Sequence, residues 1–119
     1  MTKLELLQIY ANLDSWAKAR FLAVLSHQLT IRMRESYDES IASDQRIKLL
    51  MGANELQHHL SSELRHHLEE DTNRYPDEVL MNILLEKAQY YQLSNELQGS
   101  LIHTANKFGD SARTSTVLS

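Results

Sequence analysis

Cysteine is absent from this chain, and that single absence removes disulfides, thiolate nucleophiles, zinc–thiolate sites and iron–sulfur ligation together. It fits a reducing compartment, so a cytoplasmic location is expected. Proline occurs once and glycine three times, which leaves few turn formers and favours long, uninterrupted helices. Apolar stretches such as Val79-Leu80-Met81 and Ile83-Leu84-Leu85 fall far short of the roughly 20 residues that cross a bilayer, and no membrane contact is expected. Thr2-Lys3-Leu4-Glu5 runs straight into an amphipathic pattern containing Glu5 and Asp14 rather than into an apolar leader, so no secretory signal is expected.

Also missing are a Gly-rich phosphate loop, a Gly-x-Ser-x-Gly elbow and a His-Glu-x-x-His zinc motif. Without these signatures the chain reads as non-enzymatic, with no cofactor. Clustered cations are missing too. The net charge is −4; residues 1–37 carry five Lys/Arg against three Asp/Glu, and residues 38–119 carry seven against thirteen. A mildly acidic chain with no Lys/Arg run lacks the footprint that releases counterions from phosphates, which disfavours nucleic-acid binding.

What is present is helix-forming residues in helical register. The 119 residues fit one domain with its own core, since a chain of this length buries roughly two-thirds of its extended surface. No segment alternates with period two, so the fold class is all-α. Thr2 and Glu5 form a capping box for a first helix over 3–12, presenting Leu4, Leu7 and Ala11 inward. Asn12 or Asp14 caps a second over 15–37, whose core stripe is Leu22, Leu25, Leu29 and Met33. Ser43 caps a third over 44–70, with Leu49, Ala53, Leu56, Leu60, Leu64 and Leu68 inward and Gly52 as a weak point. Between Thr72 and Glu78 lies the clearest boundary, where Pro76 opens a fourth helix over 76–91 and Asp77 and Glu78 suit its dipole. Ser94 caps a fifth over 95–107, bearing Leu97, Leu101, Ala105 and Phe108. The expected architecture is a single antiparallel four- or five-helix bundle over 1–108, followed by a flexible polar tail over 109–119.

Two groups of residues stand out as candidate sites. At about 100° per residue, His27 points away from the Leu22–Leu25–Leu29 stripe, with Arg20 and Arg34 seven residues to either side. Imidazole flanked by two guanidiniums suits an anion. The segment from Arg20 to Thr30, Arg-Phe-Leu-Ala-Val-Leu-Ser-His-Gln-Leu-Thr, resembles the histidine box of sensor kinases, although Gln28 stands where that family has an acid. The resemblance implies that His27 is a phosphate acceptor. The spacing of Arg20 and His27 also resembles the Arg–His motif of a superfamily of helical ribonucleases, which implies that these two polarise phosphate and shuttle a proton.

The second group is on the third helix, where Glu55-x-x-His58 and Glu63-x-x-His66 share the Glu-x-x-His spacing of di-iron bundles. On a helical wheel Glu55, His59, Glu63 and His66 fall on one flank, His67 turns to the core, and His58 points elsewhere. These four are candidate metal ligands, but one helix alone cannot enclose an ion; a neighbour such as Glu35 or Glu86 would have to contribute. The same histidines can bias an interface with pH.

Trp16, Phe21, Val24 and Ile31 widen the apolar surface of the second helix beyond its leucine stripe. That helix is therefore either central in the bundle or covered by the core on one side and a second subunit on the other. Together these readings favour a non-enzymatic regulator or adaptor acting through protein–protein contact, with homodimerisation through the second helix. The alternatives are a His27-dependent phosphoacceptor or ribonuclease and a metal-binding bundle.

Overall fold

A computed structural model describes residues 2–70 and 74–109. Five helices follow in order: α1 (Lys3–Ala11), α2 (Ser15–Asp38), α3 (Ser43–Glu70), α4 (Asp77–Tyr90) and α5 (Ser94–Thr104). A π-helical turn, Ala105–Gly109, closes α5. Among the described residues there is no strand, so the all-α bundle expected from the sequence is what forms. Thr72 and Asn73, and the tail from residue 110 onward, lie outside the described residues.

The longest elements, α2 and α3, form an antiparallel hairpin across residues 39–42, and α2 also packs along α5. In this second pairing Arg20 meets Phe108 at one end and Arg32 meets Glu96 at the other, so α2 and α5 are antiparallel too. The short α1 lies on α4 and α5. The core is the convergence of leucines from every helix: Leu6 with Tyr10, then Leu22, Leu25 and Leu29, Leu56 and Leu60, Leu80 and Leu84, Leu97 and Leu101. Each such side chain taken from water contributes about 1.5–3 kcal/mol.

α2 is thus packed between α3 and α5. Phe21 is fully buried, Val24 is half-buried beside α5, and the exposed Trp16 packs edge-on against Phe108 with ring centroids 4.9 Å apart. Of the apolar residues that suggested a subunit contact through α2, Phe21 is buried against Tyr10 of α1, Val24 and Ile31 are half-buried, and Trp16 stays largely exposed.

The hairpin projects beyond the other helices. From Arg34 to Lys48 the one fully buried residue is Ser36. Arg46 ties this tip together: its Nε donates to the Ser36 carbonyl at 2.9 Å and its Nη2 to the Glu39 carbonyl at 3.2 Å. Backbone carbonyls at the end of α2 thereby gain a cationic donor, which also suits the negative end of the dipole.

Local chemistry sets most helix ends. The Glu5 amide donates to Thr2 Oγ1 at 3.1 Å, and the Ala17 amide to Asp14 Oδ1 at 2.8 Å. The other expected caps differ. α3 and α5 begin on Ser43 and Ser94 themselves, so the first carbonyls used are those of Ala42 and Leu93. Pro76 sits one position before α4, where its carbonyl accepts from the Leu80 amide at 2.9 Å. Its fixed φ and missing N–H suit that position equally well.

Three packing expectations are corrected. Leu4 and Ala11 are exposed and Leu7 is half-buried, because α1 meets α4 and α5 through Leu6 and Tyr10. With Leu4, Leu6, Leu7 and Ile9 spread around so short a helix, its periodicity does not choose a face. Leu68 is exposed, and the adjacent His67 takes the inward position. Gly52 does not break α3: the helix continues through it, and the Tyr91 ring packs directly on its Cα.

Candidate functional site

The antiparallel pairing of α2 with α5 leaves a groove of about 560 Å³ on its outer side. Arg20, His27 and Gln28 line it from α2, and Asn95, Glu96 and His103 from α5. Two of the three residues of the expected stripe, Arg20 and His27, therefore share one wall, and His27 is exposed. Arg34 does not join them; it is exposed toward the projecting end of the hairpin.

Arg20 is held by rings rather than by a carboxylate. Its guanidinium lies 4.9 Å from the Phe108 centroid and 5.6 Å from that of Trp16. The π turn after α5 places Phe108 there, one of the local distortions by which helices re-aim side chains. Cation–π contact fixes the plane of the guanidinium while leaving its N–H donors uncommitted. Among the described residues Arg20 forms no ion pair.

Glu96 marks the other end. One carboxylate oxygen stands 3.6 Å from Arg32 Nε, while Oε2 is buried and has no hydrogen-bond partner. The Ser100 hydroxyl is committed, donating to the Glu96 carbonyl at 2.6 Å. Between the charged ends the wall is low at Gly99, where an added Cβ would meet nothing within 4 Å. Glu96, Gly99 and His103 were invisible to sequence reasoning, because some seventy positions separate them from His27 and no local pattern links the two segments.

The histidine-rich flank of α3 resolves into separate contacts. Glu55 is exposed and reaches α4, accepting from Lys87 Nζ and from the Tyr91 hydroxyl at 2.7 Å. The Lys87 hydrogen bond, then that of Tyr91, holds its carboxyl below the usual range. His59 stacks parallel to Tyr75, and burial pushes its pKa down, opposed in part by Glu63. Glu63 is only 1% exposed; Oε2 accepts from the Arg74 amide at 3.0 Å, and Oε1 has no partner. His66 is half-buried.

Beyond them, His67 is buried as expected, and its Nε2 donates to the Ser15 carbonyl at 2.5 Å. A carbonyl can only accept, so this contact places the proton on Nε2. Three members of the Glu55–His59–Glu63–His66 stripe thus have separate partners: Lys87 and Tyr91 for Glu55, Tyr75 for His59 and the Arg74 amide for Glu63. Among the described residues no three His, Asp or Glu side chains converge as a metal site would require. Most of this flank ties α3 to its neighbours.

No family model, curated protein or solved structure matches the chain.

Proposed function

We propose that the chain is a non-enzymatic interaction protein that docks a second copy of itself through an apolar face of α3. One observation carries this reading. Ile47, Met51 and Tyr90 are 57%, 63% and 64% exposed, although leucines fill the core beside them. They form one patch: Ile47 and Met51 are one turn apart on α3, and Lys48 between them lies 4.5 Å from the Tyr90 ring. Clustered large apolar side chains rimmed by charge are typical of docking surfaces. The rim carries Asp44 as well as Lys48, both exposed, so a copy related by a two-fold axis can offset charges of opposite sign. The sequence placed the homodimer contact on α2; this reading places it on α3, where Ile47 and Met51 are exposed together.

Light scattering on the wild type and on Ile47→Glu/Met51→Glu tests it. A dimer that the double substitution converts to a folded monomer supports the reading, whereas a monomeric wild type at high concentration overturns it.

His27-dependent phosphotransfer or RNA cleavage is the second reading, favoured by the exposure of His27 and by Arg20 on the same groove wall. Acid-labile phosphorylation and RNA cleavage, each compared between wild type and His27→Ala, separate its two forms. Failure of both in the wild type removes it.

A further inference from the structure

We infer that the docking surface is the whole outer face of α3, and that a second copy covers it with its own α3 running antiparallel, so that Leu68 of the second copy lies on Met51. The inference rests on the docking reading above and deepens it by naming which part of the second copy covers the apolar patch.

The first ground is a periodicity on the side of α3 that faces away from the bundle. Ile47, Met51, Asn54, His58, Ser61, Arg65 and Leu68 follow one another at alternating steps of four and three residues, and all seven are exposed. Such steps average 3.5 residues, the repeat with which one helix keeps a single line of side chains against another. Leu49, Leu56 and Leu60, which fill the core, lie on the opposite side of the helix, so packing within the bundle does not account for the outer line. Both ends of that line are apolar. Ile47 and Met51 form one end, and at the other Leu68 is 73% exposed, more than any other large apolar side chain among the described residues.

The second ground is that the line reads alike from either end. From Met51 to Leu68 the steps are three, four, three, four and three residues, and from Leu68 back to Met51 they are the same. An antiparallel copy therefore meets it in layers: Met51 on Leu68 of the second copy, Asn54 on Arg65 and His58 on Ser61. The two-fold axis passes between His58 and Ser61, and the same three layers repeat beyond it. Met51 and Leu68 are seventeen residues apart, or about 26 Å of helix at 1.5 Å per residue, so each end of the seam holds one apolar contact.

Charge favours the same direction. Lys48 follows Ile47 and Glu69 follows Leu68, so both stand on one flank of the seam, both exposed, and meet across it with opposite sign. Arg65 of the second copy, opposite Asn54, arrives beside the exposed Glu55. A parallel copy in register would instead set Arg65 against Arg65, and like charges in contact select against that arrangement.

The chain has no cysteine, so single introduced thiols report the seam directly. Met51→Cys and Leu68→Cys, each alone and mixed in equal amounts, are oxidised, and the disulfide-linked dimer is measured on a non-reducing gel. A disulfide needs Cα atoms within roughly 7 Å, which the antiparallel seam allows between the two variants and not within either. The mixture should therefore give at least about tenfold more linked dimer than either variant alone. Leu68→Glu, at an exposed position, should keep the wild-type helical signal in circular dichroism and weaken dimerisation about tenfold in sedimentation equilibrium.

Met51→Cys linking to itself as readily as to Leu68→Cys overturns the antiparallel register, as does a mixture that links no better than its components. A dimer that Leu68→Glu leaves unchanged overturns the contact of Leu68 with the patch. In each of these cases dissociation by Ile47→Glu/Met51→Glu still upholds the docking reading, whereas a monomeric wild type overturns that reading and this inference together.

Discussion

Tyr91 packs against α3 at Gly52, its side chain filling the space where any other residue would carry its Cβ. The same ring reaches on to Glu55 through its hydroxyl. The turn after α4 is thus fastened to the middle of α3 by a contact that only glycine permits.

The two helical glycines predict opposite responses to alanine. Gly52→Ala forces the Tyr91 ring to move and should lower stability by about 1–3 kcal/mol. Gly99→Ala meets nothing and should raise it by about 0.5–1 kcal/mol through helix propensity alone. Urea denaturation of both variants checks this. Changes of the same sign would contradict the assigned packing.

His67 joins the last part of α3 to the start of α2 through the Ser15 carbonyl. His67→Ala removes this buried hydrogen bond and opens space in a buried position, so a loss of about 2–3 kcal/mol is expected. Hydrogen exchange should show faster opening near Ser15 and Trp16. An unchanged urea midpoint would refute the role.

His59 gives stability a pH dependence. Burial depresses its pKa in the folded state below the ordinary value of 6.5, so the unfolded chain binds the proton more readily. Stability is then fully present above the unfolded pKa and falls as pH drops through that value toward the depressed one. His59→Phe keeps a ring against Tyr75 and removes the titration. Between about pH 7.5 and pH 5, the wild type should lose more stability than His59→Phe; parallel urea midpoints across that window would exclude the effect.

Glu55 should behave as a surface staple. Its exposed carboxylate accepts from Lys87 and Tyr91, and exposed pairs contribute roughly 0.2–1 kcal/mol. Glu55→Gln should therefore cost less than about 1 kcal/mol, with the loss shrinking at high salt. A fall several times larger would show that the contact is more than a surface pair.

Helix content and most boundaries were legible in the sequence because they rest on interactions a few residues long. Thr2 and Asp14 cap the helices that their spacing predicts, and the Leu22–Leu25–Leu29 stripe is buried. The inward turn of His67 also follows from the 100° wheel. Where local signals were balanced, as in α1 with apolar residues on every side, only contact with α4 and α5 chose Leu6 and Tyr10.

The tertiary structure alone decided what the conspicuous residues do. Glu55, His59, Glu63 and His66 share one flank, yet Glu55 is taken by Lys87, thirty-two positions on, and His59 and Glu63 by Tyr75 and Arg74 beyond the end of α3. Arg20 and His27 became part of a groove because α5 returns antiparallel to α2 and supplies Glu96, Gly99 and His103. Helical periodicity is a property of one segment, legible from side-chain order. A groove is the space left between two segments, and its shape depends on long-range packing that no single stretch of sequence encodes.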